Sequence, residues 1–209
     1  MKWAVLTGDI VASSEIDPDA LDEIMRSIQE VSLEASGWGH TGDDETITGF
    51  DRRGGDGWQL ATNRQGFALR LSLYIQARLR LLGPDYATRI AIATSEGEAL
   101  DQMMADLNSA HGIAFTASGR LLEELTGHTL MAHAQGGAVD AAFRLADHIS
   151  QSWTQAQARS LCLTLPPDSG PRRVAAESLG ISRQAVDQAL NSAGLPALID
   201  ALEAIESEQ

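Results

Sequence analysis

The sequence predicts an α+β protein in which a ferredoxin-like βαββαβ domain, residues 1–136, precedes an all-α tail, residues 137–209. The first observation is a continuous apolar run from Trp3 to Leu6, which is typical of a strand covered on both faces. The second is the order of patterns that follows: strand, helix, strand, strand, helix, strand. This order is expected of one antiparallel sheet with two helices on one face. The third is the change to helical periodicity after residue 136.

The first helix and the hairpin have local signals. Asp17 followed by Pro18 predicts a helix start, because the acid can cap the helix and the missing proline N–H costs nothing there. The apolar residues after it recur at the spacing of a helix that packs on a sheet. Two antiparallel strands are then expected at 46–50 and 58–62, joined by a turn at 51–56.

The rest of the first domain is predicted in the same way. Asn63 is expected to cap a second helix that ends at Gly83, and residues 89–94 are expected to form the next strand. The arginines of the second helix are expected to form a solvated face; they are Arg70, Arg78 and Arg80. The remaining expected elements are helices at 100–107 and 114–125 and a strand at 128–134.

Composition limits the class of protein. The chain has 209 residues, enough for one ordinary domain with an appendage, and its 44% hydrophobic and 21% charged residues are ordinary for a soluble globular protein. Its net charge of −14 argues against broad attraction to nucleic acid or anionic membrane. The start of the chain has no signal-peptide pattern, so a cytoplasmic protein without a membrane span is expected. The single cysteine, Cys162, is expected to be a small buried hydrophobe.

Two carboxylates stand out at turns of similar type. Asp9 follows Gly8 at the end of the first apolar run, and Asp56 lies in the glycine-rich stretch 54–57 between two predicted strands. If the hairpin lies beside the first strand, the two acids come close together, and they then repel each other unless a cation or a proton lies between them. Magnesium prefers such oxygen ligands. The alternative is that each acid is only a turn former.

Three short segments carry a family resemblance: residues 7–11, the hairpin at 54–57, and the strand at 89–94. Their sequence and order resemble class III nucleotidyl cyclases and related palm-type domains. They look closer still to the small bacterial SatD-like proteins, which join such a domain to a C-terminal helix-turn-helix. The resemblance covers roughly residues 1–135.

This resemblance implies a site for metal and nucleotide. It implies that Asp9 and Asp56 hold magnesium or manganese, with the backbone carbonyl of Ile10 as a further donor, and that the metal orients a nucleoside triphosphate. The hairpin glycines are then the candidate nucleotide-binding positions, for a triphosphate or a cyclic nucleotide; they are Gly54, Gly55 and Gly57. The chain lacks the Asn-x-x-x-Arg pair of the cyclases, and Ser95 stands where a glycine usually follows the strand. These departures leave turnover open.

The tail contains a candidate helix-turn-helix at 172–191, after helices at 138–153 and 154–165 and a linker at 166–171. Gly180 suits the positive φ of the turn, and Ser182 suits the cap of the second helix. The outer side of that helix carries side chains that can contact base edges and phosphates; they are Ser182, Arg183, Gln184, Asp187, Gln188 and Asn191.

Charge limits the strength of DNA binding. Residues 172–195 contain three arginines and two acids, a net charge of +1, whereas tight binding to phosphates normally needs several cations. A homodimer with two recognition helices would bind more tightly, and the apolar residues of 138–153 and 195–205 are expected to supply the surface for pairing. The alternative is a helical bundle used only for assembly.

Two functions are therefore expected from the sequence. The first is a regulatory protein in which the front domain senses a nucleotide and metal and the helix-turn-helix contacts DNA or organises a dimer. The alternative is a magnesium-dependent nucleotidyl cyclase or nucleotidyltransferase in which Asp9 and Asp56 hold the metal.

Overall fold

A computed structural model describes residues 2–39, 45–96, 107 and 112–207, and it is a mixed α/β structure with one five-stranded sheet. The strand order is β2-β3-β1-β4-β5; β1 to β4 pair antiparallel, and β5 runs parallel to β4. The strands are β1 Lys2–Ile10, β2 Thr48–Arg53, β3 Gly57–Thr62, β4 Thr88–Glu96 and β5 Met131–His133. The helices are α1 Pro18–Ala35, α2 Phe67–Leu82, α3 Ile113–Glu124, α4 Gly137–Gln151, α5 Gln155–Cys162, α6 Arg172–Leu179, α7 Arg183–Ser192 and α8 Leu195–Ser207.

Strand β1 is the centre of the sheet because it pairs with both β3 and β4. Its alternate side chains enter two separate apolar clusters. Leu6 joins the main core beneath α1 and α2, whereas Val5 packs with Ala93 and Ala114 on the face that α3 covers. This explains the continuous apolar run of the sequence, since a strand covered on both faces needs apolar residues at every position.

Gly8 allows a close approach across the sheet. A Cβ at this position would lie 2.4 Å from the Trp58 ring and 2.5 Å from the carbonyl oxygen of Arg89. The buried Trp58 indole N–H donates to the Thr88 hydroxyl at 2.9 Å, which ties β3 to β4 across β1. Glycine is therefore required beside Asp9 because any side chain would clash with the ring and the backbone of the neighbouring strands.

Several helix boundaries follow from local chemistry. The Asp17 carboxylate accepts from the Asp19 amide at 3.0 Å with Pro18 at the first position of α1, as predicted. Gly180 ends α6 with φ of 65°, and the Ser182 hydroxyl accepts from an amide of α7 at 3.1 Å, also as predicted. The prediction that Asn63 caps α2 is wrong. Asn63 instead bonds the backbone of residues 45 and 47 with its side chain, and Gly66 precedes α2.

The arginines of α2 do not form the solvated face that the sequence suggested. Arg70 is only 5% exposed; its guanidinium donates to Glu206 of α8 at 2.6 and 3.0 Å and to the Leu165 carbonyl at 2.7 Å. Arg78 and Arg80 are half-buried. The prediction failed because α2 lies between other helices: the tail covers Arg70, whereas Arg78 pairs with two glutamates of α1 at 2.7 and 2.6 Å.

The tail packs on the sheet domain through α2. One hydrophobic cluster runs from Leu6 in β1 to Leu202 in α8 and crosses the expected boundary at 136/137. The apolar faces of α4 and α8 are buried inside the chain, including Phe143 and Leu198. The prediction that these faces supply a surface for pairing two chains is therefore wrong, because the chain itself covers them.

Other elements differ from expectation mainly in their ends. Asp51 belongs to β2, so the hairpin turn is shorter than 51–56, and the strand expected at 128–134 is reduced to Met131–His133. Except for Leu107, the helix expected at 100–107 lies outside the described residues. Cys162 is half-buried. None of the helices in the described ranges is both long and apolar enough to cross a bilayer.

Candidate functional site

Asp9 and Asp56 meet at one rim of the sheet. Asp9 lies directly opposite Gly57 in the pairing of β1 with β3, so the residue before Gly57 is its close neighbour. The amide of Ile10 donates to the backbone carbonyl of Asp56 at 3.1 Å, which fixes the hairpin beside the end of β1. The spatial relation that the sequence predicted between the two acids is therefore present.

Arg89 binds the Asp9 carboxylate. It lies opposite Asp9 in the pairing of β1 with β4, and its Nε donates to one carboxylate oxygen at 2.7 Å while Nη2 donates to the other. Its third nitrogen donates to the Leu125 carbonyl at 2.9 Å, at the C-terminal end of α3. The hydrogen bonds that Arg89 donates to Asp9, together with the charges of Asp9 and Asp56, raise the pKa of Arg89. A permanent cation thus balances the charge of Asp9, and the charge of Asp56 is left without a cationic partner in direct contact among the described residues.

Asp56 has a different partner. Its carboxylate accepts a hydrogen bond from the Ser13 hydroxyl, in the short 3-10 turn Ser13–Glu15 that follows β1. Ala12 precedes this turn with φ of 52°, and it is the one non-glycine residue of the described chain with positive φ. A left-handed alanine costs on the order of 1 kcal/mol. The fold accepts that strain where β1 leaves the sheet and Ser13 reaches Asp56.

The two acids do not by themselves make a complete metal site. Within the described ranges, the chain has no group of three or more His, Cys, Asp or Glu side chains that is placed to hold a metal. Magnesium is, however, commonly held by one or two carboxylates together with substrate phosphates. Asp9 and Asp56 fit that requirement, since both are half-buried neighbours. An ion that binds Asp9 would compete with Arg89 for the carboxylate.

The hairpin glycines serve the turn. Gly54 has φ of 69° and Gly55 faces open space, whereas a Cβ on Gly57 would lie 2.5 Å from the Arg53 carbonyl oxygen. The Gly55 carbonyl accepts from the Arg52 guanidinium at 2.6 and 2.8 Å. Backbone geometry alone therefore accounts for Gly54 and Gly57, and it neither requires nor opposes a nucleotide.

The outer face of α7 is polar and accessible. Val186 and Leu190 point into the core, and the opposite side of the helix and its cap are exposed: Ser182, Arg183, Gln184, Gln188 and Asn191. Asp187 differs from the other candidate DNA-contacting residues. It is half-buried and pairs with Arg172 at 2.8 Å and with Arg183 at 3.6 Å.

Sequence reasoning missed Arg89 as a member of the rim. It was assigned only to the start of a strand, although an arginine at the beginning of β4 falls opposite an acid at the end of β1 when the two strands pair antiparallel. Matching the ends of the strands would have found it. Neither the protein-family models nor the curated proteins compared with the chain gave a match.

Proposed function

We propose that the chain is a regulatory protein that contacts DNA through α7 and binds a nucleotide at the rim of its sheet. The observation that carries the DNA-binding part is the exposed polar face of α7 on a helix whose other side is fixed in the core. A rigid helix with exposed polar side chains suits insertion into a major groove. The short α6 and the tight turn at Gly180 place α7 at the surface.

The side chains of α7 suit base contacts better than phosphate contacts. Arg183 can bond guanine, and Gln184, Gln188 and Asn191 can bond adenine. Cations are few, because Arg172 already pairs with Asp187 and Arg173 pairs with Glu177. We therefore expect weak binding by one copy. A homodimer on two half-sites would bind more tightly, and it would have to pair through a surface other than the buried faces of α4 and α8.

Fluorescence anisotropy with DNA from the upstream region of the gene tests this proposal. The affinity for DNA should fall by at least tenfold when the salt concentration is raised from about 50 mM to about 200 mM. Arg183→Ala should weaken binding by roughly five- to a hundredfold, since one base contact is worth about 1–3 kcal/mol. Arg26→Ala, an exposed arginine on α1, is the control and should leave binding unchanged. No binding at low salt, or equal losses in both variants, would reduce the tail to an assembly module.

A nucleotide at the rim is supported by a second observation, the meeting of Asp9, Asp56 and Arg89. The order β2-β3-β1-β4 is compatible with the ferredoxin-like βαββαβ domain that the sequence predicted, and this supports the proposal. A bound magnesium ion supplies charge neutralisation for the phosphates. Asp9, Asp56 and the Ile10 carbonyl would hold it, and Arg89 would then be released to donate to a phosphate.

Thermal-shift titration distinguishes the outcomes at this rim. Magnesium alone should change the melting temperature little, because Arg89 already balances Asp9, whereas magnesium with a nucleoside triphosphate should raise it. Asp56→Asn should abolish the rise, and Asp200→Asn, an exposed acid on α8, should not. A raised melting temperature without product supports a sensor. Cyclic product or pyrophosphate that is lost with Asp56→Asn would establish the alternative, a magnesium-dependent nucleotidyl cyclase or nucleotidyltransferase. No shift with any triphosphate would make the rim purely structural.

A further inference from the structure

A cavity lies at the other end of β4 from Arg89. It has a volume of about 190 Å³ and lies between the start of α2, the end of β5, and helices α4 and α8. One part of its wall is polar: Gln65, Thr94, His133 and Gln135. The other part is apolar: Ala68, Val139, Phe143 and Ile205. This cavity shares no residue with the rim site.

His133 contributes a hydrogen-bond donor to this cavity that has no acceptor. The residue is 4% exposed, and its Nδ1 accepts from the Gln135 amide at 3.1 Å, so the proton of the neutral ring is on Nε2. Burial keeps the ring neutral, since it lowers the pKa of His133 to about 4. Nε2 makes no hydrogen bond to any described residue, which leaves this N–H available to a ligand in the cavity.

The start of α2 adds two more donors on the same wall. In the described part of the chain, the backbone amides of Gln65 and Gly66 donate to no acceptor, and no side chain caps this 16-residue helix. The positive end of the helix dipole favours a negative group at this place. Gln65 and Gly66 at the start of α2 and His133 of β5 therefore all line the cavity, and each has an N–H group without an acceptor among the described residues.

The nearby charged groups limit the charge of a ligand. Asp140, which accepts from the His133 amide, is paired with Arg144, and Glu206 beside Ile205 is paired with Arg70. No lysine or arginine is among the residues that line the cavity. Neutral N–H donors and a helix dipole can balance one negative charge, but a polyphosphate would keep most of its charge unpaired.

From this arrangement we infer that the cavity binds a small organic monocarboxylate with a compact apolar body. The carboxylate accepts from His133 Nε2 and from the amides at the start of α2, and the body lies against Val139 and Phe143. The volume suits such a ligand, since a cavity of about 150 Å³ can hold benzene. The protein would then bind a second ligand at a site separate from the nucleotide rim.

Calorimetric titration of the full chain with benzoate and isobutyrate tests the inference. At least one of these acids should bind saturably. Benzyl alcohol lacks the negative charge and inorganic phosphate lacks the apolar body, so each should bind about tenfold more weakly or not at all. Equal affinity for benzoate and benzyl alcohol would show an apolar cavity without anion selectivity. Absence of saturable binding by both acids would also overturn the inference.

His133→Asn tests the role of the ring. Asparagine can still accept from the Gln135 amide but cannot donate from the position of Nε2, so carboxylate affinity should fall about tenfold or more. Nitrogen NMR of the wild-type chain gives a second readout that needs no variant. The Nε2 signal of His133 should move during the benzoate titration, while the ring signals of the exposed His128 should not. An unchanged Nε2 signal at saturation would refute the assignment.

Discussion

Mild acid is expected to destabilise this protein through His133. Burial lowers the pKa of His133 from its ordinary value of 6.5 to about 4, and the charge of Asp140 opposes that shift only in part. Because the pKa in the folded state lies below that of the unfolded state, the stabilising contribution of the neutral ring is complete above about pH 6.5. It is lost progressively as the pH falls from there to about 4.

The size of the loss follows from the two pKa values. A pKa lowered from 6.5 to about 4 corresponds to about 3 kcal/mol over the whole range, since one pKa unit is about 1.4 kcal/mol. At about pH 5 most of that difference has appeared, and the free energy of unfolding should be lower by about 2 kcal/mol than at about pH 7. The ring is 4% exposed, so solvent screens this effect little.

Urea unfolding of the wild type and of His133→Asn at several pH values measures the contribution of His133 to the free energy of unfolding. Other groups titrate in both proteins, so the relevant quantity is the difference between their free energies of unfolding. That difference should change by about 2 kcal/mol in favour of the variant between about pH 7 and about pH 5. His128→Asn, at an exposed histidine, should show a difference that stays within about 0.5 kcal/mol. A pH-independent difference for His133→Asn would refute the reasoning.

Three further predictions concern packing, charge and reactivity. Gly8→Ala should lower the free energy of unfolding by more than about 2 kcal/mol, because the new Cβ would lie 2.4 Å from a carbon of the Trp58 indole. Gly55→Ala is the control: its Cβ would have no atom within 4 Å, so the free energy of unfolding should change by less than about 0.5 kcal/mol. Glu206→Ala should cost about 3 kcal/mol in urea unfolding because it leaves the buried arginine of α2 without a carboxylate; the exposed Glu203→Ala on the same helix is the control. Burial raises the pKa of the Cys162 thiol to about 12, so its alkylation by iodoacetamide at about pH 8, followed by mass spectrometry, should be more than about a hundredfold slower than in urea. Equal rates in the two conditions would contradict that burial.

The features that sequence reasoning predicted well depend on neighbouring residues. The start of α1 at Pro18, the positive φ of Gly180 and the cap at Ser182 each depend on a few adjacent backbone groups. The meeting of Asp9 with Asp56 also followed from the order of elements, because a hairpin beside the first strand brings the two turns together. Local chemistry and topology were sufficient for these features.

The features that it missed depend on residues distant in the sequence. Arg70 was assigned to solvent because its partner, Glu206, is 136 positions away. Asn63 was assigned to a helix cap, but the chain between β2 and α1 supplied backbone partners that competed for its side chain. The cavity at His133 requires five elements from across the chain, and no spacing in the sequence indicates it.

The position of α2 has a consequence for limited proteolysis. Its buried residues lie all around the helix, because the sheet and α1 cover one side while α4, α5 and α8 cover the other. A protease that cut the segment 166–171 would therefore not release a soluble fragment. The two pieces would stay associated through α2 and would come apart only when the whole molecule melted.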